Sequence, residues 1–148
     1  MHVYEFELFE GEDGRLLAFP YDMEGGTQGE DIREVCEMAA DWLQGEMEHR
    51  AIHNLPFPEA TFGNEPRHSG RNVIVAVNAG IETVPKVLPS EAARMLGVTP
   101  GRVTQMMRAG QLESVEDAGR TWVTVDSVEA RLADQPKPGR PRKKVASV

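Results

Sequence analysis

Side chains suited to contacting DNA bases stand close together on a short predicted helix that follows Thr99. Arg102, Thr104 and Gln105 lie on its polar side, because the apolar residues between them form the opposite side. Arginine can bond guanine through two donors and glutamine can pair with adenine, so these side chains could recognise base edges in the major groove. We expect Arg108, in the last turn, to contact a phosphate or an acidic residue, and we count Thr99 among the DNA-contacting residues.

A second short helix precedes this one, and a tight turn joins the two. Ser90 is expected to cap the first helix, and Gly97 to end it in the left-handed conformation. Thr99 then caps the second helix, and Pro100 fits its first position, where no amide hydrogen is needed. Two short helices joined in this way are typical of a helix-turn-helix. The alternative is a helical hairpin that only packs against the rest of the protein.

A predicted β-hairpin and a last helix follow. Two extended runs, residues 112–115 and 121–125, are joined by turn-forming residues. Asp126 is expected to cap the last helix and to direct Val128 and Leu132 inward. The predicted order is therefore helix, turn, helix, hairpin, helix.

Residues 88–133 resemble the winged helix-turn-helix of the excisionase and MerR-like family. The chain carries S-E-A-A-R-M-L-G-V from Ser90, R-V at Arg102, G-Q-L at Gly110 and G-R at Gly119. The resemblance implies a DNA-binding module whose hairpin forms the wing. Arg120, at the predicted wing tip, would then contact a phosphate or the minor groove; its alternative role is that of a solvated turn residue.

The end of the chain, residues 135–148, carries five positive charges and no acid. Its prolines and glycine predict an extended, disordered segment. Gly139-Arg140-Pro141 resembles an AT-hook, which enters the minor groove of A·T-rich DNA, although Pro138 stands where the hook has arginine. Nonspecific attraction to phosphates is the alternative. The tail residues predicted to contact DNA are Lys137, Arg140, Arg142, Lys143 and Lys144.

The first half of the chain predicts a small antiparallel sheet with one covering helix, an α+β fold. Residues 3–9 alternate as a half-buried strand, and residues 16–19 return as a second strand. A third strand or bend falls within residues 25–29. A helix begins near Glu30, and residues 73–77, apolar on both faces, predict a central strand. The apolar stripe of the helix consists of Ile32, Val35, Cys36, Ala39, Leu43 and Met47.

This half resembles the HicB antitoxin family. The matching pieces are Phe19-Pro20, Thr27-Gln28-Gly29, a helix containing Glu34-Val35, and Leu55-Pro56-x-Pro58. The chain departs from the family at residues 21–24, where Asp-Leu-Pro-Gly is usual. The resemblance implies a partial ribonuclease-H-like fold that covers a HicA toxin, a small basic RNA-cleaving protein. It also implies repression of the protein's own operon through an attached DNA-binding domain.

Charge is divided unequally along the chain, whose net charge is −8. Residues 1–87 contain six basic and seventeen acidic residues, whereas residues 88–148 contain ten basic and seven acidic residues. Such asymmetry is typical of a chain in which one part binds a polyanion and the other does not. The acidic half suits a basic partner, which it would attract electrostatically.

Several other kinds of site are not favoured. His49 and His53 have helical spacing for a metal, but no third ligand is evident, and both are interpreted as loop histidines. The acidic residues do not form the strand-end pairs that two-metal nuclease chemistry needs. Cys36 is the only cysteine, which favours a reducing cytoplasm, and neither a membrane span nor a signal peptide is recognised. We therefore expect no catalysis, metal or cofactor.

Together the patterns predict three segments: a HicB-like toxin-binding domain over residues 1–84, a winged helix-turn-helix over 85–134, and a basic tail over 135–148. The predicted function is that of an antitoxin that neutralises a HicA-like toxin, binds double-stranded operator DNA and forms a homodimer or a higher homo-oligomer. The alternative is a stand-alone transcription regulator or excisionase-like architectural factor whose first domain senses or oligomerises. A remoter alternative is a metal-dependent nuclease.

Overall fold

A computed structural model describes residues 1–134. The chain folds into two compact units, Met1–Val84 and a second that begins at Pro85. The tail over 135–148, with its candidate residues Lys137, Arg140, Arg142, Lys143 and Lys144, lies outside the described residues.

The first unit is built on a four-stranded antiparallel sheet in the order β3-β2-β1-β4. Tyr4, Phe6 and Leu8 alternate along the central strand β1 and are buried on one face, as the period of two requires. The four strands are β1 His2–Glu10, β2 Leu16–Pro20, β3 Thr27–Gly29 and β4 Arg71–Val77.

Helix α1, Ile32–Ile52, covers this apolar face. Asp31 caps its N-terminus by accepting a hydrogen bond from the amide of Glu34 at 2.8 Å. The predicted stripe is confirmed for Val35, Ala39, Leu43 and Met47, which are fully buried. It is wrong for the first member, Ile32, which is 53% exposed because it lies in the first turn, beyond the edge of the core.

Strand β4 corrects the prediction of a central strand apolar on both faces. Among residues 1–134 it pairs only with β1, at the edge of the sheet. Val75 and Val77 are buried against α1, but Ile74, on the opposite face, is 62% exposed. A continuous apolar run is thus not sufficient evidence for a strand buried on both faces.

The second unit combines three helices with a three-stranded antiparallel sheet in the order β5-β7-β6. Its core lies between the helices and β7 and is centred on Ala92, Val103, Val123 and Val128, all fully buried. The elements are β5 Lys86–Val87, α2 Pro89–Leu96, α3 Pro100–Arg108, β6 Ser114–Asp117, β7 Arg120–Thr124 and α4 Val125–Ala133.

Two predicted helix caps in this unit are wrong. Helix α2 begins one residue before Ser90, and its N-cap is Leu88, whose amide donates to the Glu91 carboxylate at 3.1 Å. Helix α4 is capped by Thr124, not Asp126, because the Thr124 hydroxyl accepts from the Ser127 amide. Both helices start earlier than the predicted caps, Ser90 and Asp126, imply.

Two further details of the hairpin and α4 differ from expectation. The hairpin tip is the two-residue turn Ala118–Gly119, with positive φ angles of 51° and 75°, so the strands continue to Asp117 and Arg120. Leu132 on α4 is 39% exposed and does not point inward.

The architecture is a mixed α+β fold with small antiparallel sheets and four helices in residues 1–134, which confirms the predicted fold class at that level. None of these helices combines the length and apolar character needed to cross a membrane.

Candidate nucleic-acid interface

Helix α3 is fixed in place by its two ends and its apolar side. Gly97 adopts a left-handed conformation with φ 68° and ends α2, which allows the chain to reverse. The Thr99 hydroxyl accepts from the Arg102 amide at 3.1 Å, and Pro100 occupies the first helical position, as predicted. Val103 is fully buried and anchors the helix to the core of the unit.

The opposite side of α3 is open to solvent. Arg102, Thr104, Gln105 and Arg108 are all exposed. The guanidinium Nη1 of Arg102 lies 3.4 Å from the Gln105 Oε1, so the two side chains with base-pairing geometry stand side by side. Together the two side chains form one compact surface rich in hydrogen-bond donors. A surface of this size can meet the base edges in a DNA groove.

The two threonines are partly used within the helix. The Thr99 hydroxyl serves as the N-cap, and the Thr104 hydroxyl donates to the Pro100 carbonyl at 3.2 Å. The Thr99 hydroxyl can still donate its proton, and the Thr104 oxygen can still accept. Both are exposed, but Arg102 and Gln105 have the greater hydrogen-bonding capacity toward a ligand.

Arg120 lies beside the hairpin turn, as the first residue of β7, and is exposed. Its cross-strand neighbour Asp117 forms an ion pair with Lys86 instead, at 3.0 Å. Within the described residues Arg120 has no ion-pair partner. Its charge is therefore available to an external anion.

The hairpin is held by contacts that span its strands. The indole N–H of Trp122 donates to the Asp117 carbonyl at 3.1 Å, and the Thr121 hydroxyl donates to Glu116 at 2.6 Å. Lys86 lies over the Trp122 ring at 5.6 Å as a cation–π contact. These contacts give Arg120 a rigid support.

Arg94 is a candidate that the sequence reasoning missed. It lies on α2 and is exposed, and no described residue forms an ion pair with it. In helix-turn-helix proteins the first helix crosses the DNA backbone, so a basic residue here would contact phosphate. The signal available in the sequence was an arginine on a short predicted helix whose apolar edge contains Ala93 and Leu96.

Positive charge in the second unit is local, not general. Residues 85–134 contain six basic and seven acidic residues, so the positive excess found beyond residue 87 comes from the tail. Residues 89–110, which contain α2 and α3, carry three arginines and one acid, Glu91. The remaining acids follow in the hairpin and α4. A polyanion would therefore be attracted to the helix pair specifically.

The first unit contains two buried carboxylates that the sequence placed on the solvent side of a half-buried strand. Glu5 and Glu7 alternate with the core residues of β1 and are 5% and 2% exposed. The loop over residues 61–70 covers them. Glu5 accepts from the amides of Gly63 and Asn64 at 3.1 and 2.8 Å.

Glu7 is held even more tightly by the same loop. It accepts from the amides of Arg67, His68 and Gly70 at 2.8–2.9 Å, and the His68 Nδ1 lies 3.1 Å away. The His68 ring also stacks on Phe9 at 4.0 Å. Backbone donors bind both carboxylates, and the side-chain amides of Asn64 and Asn72 also donate to Glu5, so the two carboxylates hold the loop in place.

The hydrogen bonds also set the acidity of these carboxyls. Bonds from the amides of Asn64 and Gly63 lower the pKa of Glu5 and outweigh the effect of burial. Burial raises the pKa of Glu7, but the bonds from Gly70, His68 and Arg67 outweigh it, so the pKa lies below its ordinary value. Both groups are therefore ionised at neutral pH.

Unlike these two, the acids around the first turns of α1 face solvent. Glu30, Asp31, Glu34, Glu37 and Asp41 are all exposed. Glu30, Asp31 and Glu34 lie at the N-terminus of the helix, where its dipole favours negative charge, and Glu37 and Asp41 lie further along it. Arg15 pairs with Glu30 at 3.4 Å and Arg33 with Glu37 at 3.1 Å, so the surface keeps an excess of negative charge but contains two ion pairs. This surface is the physical counterpart of the acidic composition of the first half.

The structure corrects one detail of the histidine pair. His49 lies inside α1, and only His53, the C-cap, is outside it. The His53 Nδ1 lies 2.8 Å from the His49 carbonyl, and the two rings are 4.3 Å apart. Among residues 1–134 no group of three or more potential ligands could hold a metal ion.

Comparison of the chain with protein-family models, with curated proteins and with solved structures found no match. The geometry and charges of the two units are therefore the basis on which a function can be assigned.

Proposed function

We propose that this protein is a HicB-like antitoxin and repressor, whose second unit binds operator DNA through α3 and whose first unit binds a basic toxin. The observation that carries the DNA-binding part is the exposed Arg102–Gln105 pair, 3.4 Å apart, on a helix whose other side is buried. Two side chains able to make bidentate contacts to bases, held together on a rigid short helix, suit direct readout of a major groove.

Phosphate contacts would complement this pair. Arg94, Arg108 and Arg120 are exposed and lack ion-pair partners among the described residues. Such arginines position a protein on DNA without reading its sequence. Since residues 85–134 have almost no net charge, the basic tail would supply most of the long-range attraction. A homodimer would present two copies of α3 to two half-sites.

The toxin-binding part is supported by the charge of the first unit. Residues 1–84 contain five basic and seventeen acidic residues, and the acids at the start of α1 face solvent. A small protein that cleaves RNA needs a basic surface for its substrate. An acidic cover would be steered to that surface electrostatically and would block it.

The test separates the two activities in one variant. Arg102→Ala combined with Gln105→Ala removes both base-reading groups, each worth about 1–3 kcal/mol of discrimination. We expect binding to the DNA upstream of the protein's own gene to fall by at least about tenfold and to lose sequence preference. In co-expression with the adjacent small gene, growth rescue should be unchanged.

A matched control removes the same two residue types elsewhere in the second unit. Arg131→Ala combined with Gln111→Ala should leave operator affinity close to that of the wild type, because neither residue lies on α3. Equal loss of binding in both variants would contradict a reading role for α3. Loss of growth rescue together with DNA binding would contradict the division between the units. If the wild-type protein binds this DNA but does not rescue growth in co-expression, the result favours the stand-alone regulator.

A further inference from the structure

The two edges of the four-stranded sheet differ in how well they are protected from pairing with another strand. Strand β3 has three residues, Thr27–Gly29, and is too short to template a stable partner. Strand β4 at the other edge has seven residues, Arg71–Val77, in unbroken register with β1. It contains no proline, lysine or bulge, which are the usual features that keep an edge from associating.

The exposed side chains of β4 also suit a strand whose outer edge pairs with a further strand. Ile74 is 62% exposed and Ala76 is exposed beside it, on the sheet face opposite α1. An open edge that carries apolar residues leaves both the backbone groups and the side chains without a partner. We infer that β4 pairs antiparallel with β4 of a second copy of this chain, about a twofold axis at Ile74.

Self-pairing at this register is chemically complementary. It places Ile74 opposite Ile74 of the second copy, and Val73 opposite Val75 of that copy, which are favourable β-branched pairs. Arg71 falls opposite Val77 of the second copy. The two Arg71 side chains are then about 20 Å apart, at six residues of about 3.4 Å each, so like charges do not meet.

Charge argues against a basic protein as the occupant of this edge. The seven residues of β4 contain no acid and one arginine, whereas five exposed acids of the first unit lie together between Glu30 and Asp41. A toxin attracted by negative charge would therefore contact α1 and leave β4 free. The self-association does not depend on toxin binding. It deepens the homodimer of the proposed function, because it places one contact between the two copies at β4.

Salt gives the self-association a distinctive signature. Two first units, each with seventeen acids and five basic residues, repel one another. Because salt screens this repulsion, the dimer should become stronger as ionic strength rises. A strand pair alone is small compared with the roughly 1,200–2,000 Å² of a stable interface, so we expect a reversible equilibrium that depends on protein concentration.

Sedimentation velocity of the full chain without DNA tests the inference. The wild type should shift from monomer to dimer with rising concentration, and Ile74→Lys should remain monomeric, because the lysine places like charges face to face at the axis. Ile32→Lys is the matched control, since it makes the same change at an exposed isoleucine of α1. It should behave as the wild type. A wild type that stays monomeric, or an Ile74→Lys variant that still dimerises, would overturn the inference.

Cysteine cross-linking tests the register in a Cys36→Ala background. Ile74→Cys should form a disulfide-linked dimer under mild oxidation, because paired residues have Cβ atoms about 4.5–5.5 Å apart. Ala76→Cys is equally exposed, but its two copies would be about 14 Å apart and should not cross-link. Cross-linking through residue 76 and not 74, or through neither, would refute the twofold axis at Ile74.

Discussion

Glu5 and Glu7 stabilise the first unit only while their carboxyls are ionised, because the loop over residues 61–70 offers them backbone donors. Their pKa values lie below those of an unfolded chain, about 4.3. A lowered pKa in the folded state means that the contribution is fully present above the unfolded pKa and is lost as the pH falls through the folded pKa. We therefore expect the free energy of unfolding of the first unit to fall as the pH drops below about 5.

Glu7→Gln should remove much of that dependence. The amide can accept through its oxygen only, and its NH₂ group would face backbone N–H donors. We expect a loss of about 2 kcal/mol in the free energy of unfolding at pH 7, and a smaller further loss in acid. Chemical denaturation at pH 7 and at pH 4 measures both effects.

Glu65→Gln is the control for this variant. Glu65 lies in the same loop but is exposed. Its substitution should change the stability at pH 7 by no more than about 0.5 kcal/mol. An equal loss in both variants would show that the loop does not depend on the Glu7 carboxylate.

At the scale of elements, the turn between α2 and α3 depends on one glycine. Gly97 has φ 68°, and no other atom lies within 4 Å of the position of an added Cβ. Gly97→Ala should therefore cost only the backbone strain, about 1 kcal/mol of unfolding free energy. Thermal or chemical denaturation measures the change.

Gly101→Ala, four residues later, should raise the free energy of unfolding, whereas Gly97→Ala should lower it. Gly101 lies inside α3, and a Cβ added there would lie 4.0 Å from the Thr99 hydroxyl oxygen, so alanine fits and favours the helix. We expect a gain of up to about 1 kcal/mol. Destabilisation by both substitutions would mean that space, and not the left-handed conformation, determines the effect at this turn.

The same scale shows why some element boundaries were predictable and others were not. Thr99 and Pro100 specify the start of α3 through local hydrogen bonding and a fixed φ, so the local sequence was sufficient. At α2 and α4 a capping residue also lay nearby, but the helices start earlier, where the β5 and β7 strands deliver the chain. Local hydrogen bonds cap both helices, since the Leu88 amide donates to the Glu91 carboxylate and the Thr124 hydroxyl accepts from the Ser127 amide. The sequence therefore offered more than one local cap at each helix and did not show which of them is used.

At the scale of the whole molecule, charge is distributed over three segments. Residues 1–84 are strongly acidic, residues 85–134 are nearly neutral, and residues 135–148 carry five basic residues and no acid. If the chain binds DNA as proposed, the tail provides most of the nonspecific attraction. The exposed side of α3 then provides sequence preference.

Deletion of residues 135–148 should therefore weaken DNA binding and reduce its salt dependence. The slope of the logarithm of affinity against the logarithm of salt concentration should fall by at most about 4–5 if all five charges contact phosphates. Preference for operator over unrelated DNA should be retained. Titrations at several salt concentrations measure both quantities, and an unchanged slope would show that the tail does not contact DNA.

The sequence by itself determined the features that depend on local patterns. The alternation of β1, the apolar stripe from Val35 to Met47 and the polar side of α3 each follow from the period of one element. The α+β class follows in turn from the order of those elements.

The tertiary structure alone decided which surfaces those elements leave open. Glu5 and Glu7 are buried because a loop some sixty residues later supplies their hydrogen bonds, and Ile74 is exposed because nothing in residues 1–134 covers that part of the sheet face opposite α1. Neither the burial of Glu5 and Glu7 nor the exposure of Ile74 is visible in the local sequence, because burial depends on which distant residues the fold brings close. The period of a strand fixes which side chains share a face, and only the fold fixes what covers that face.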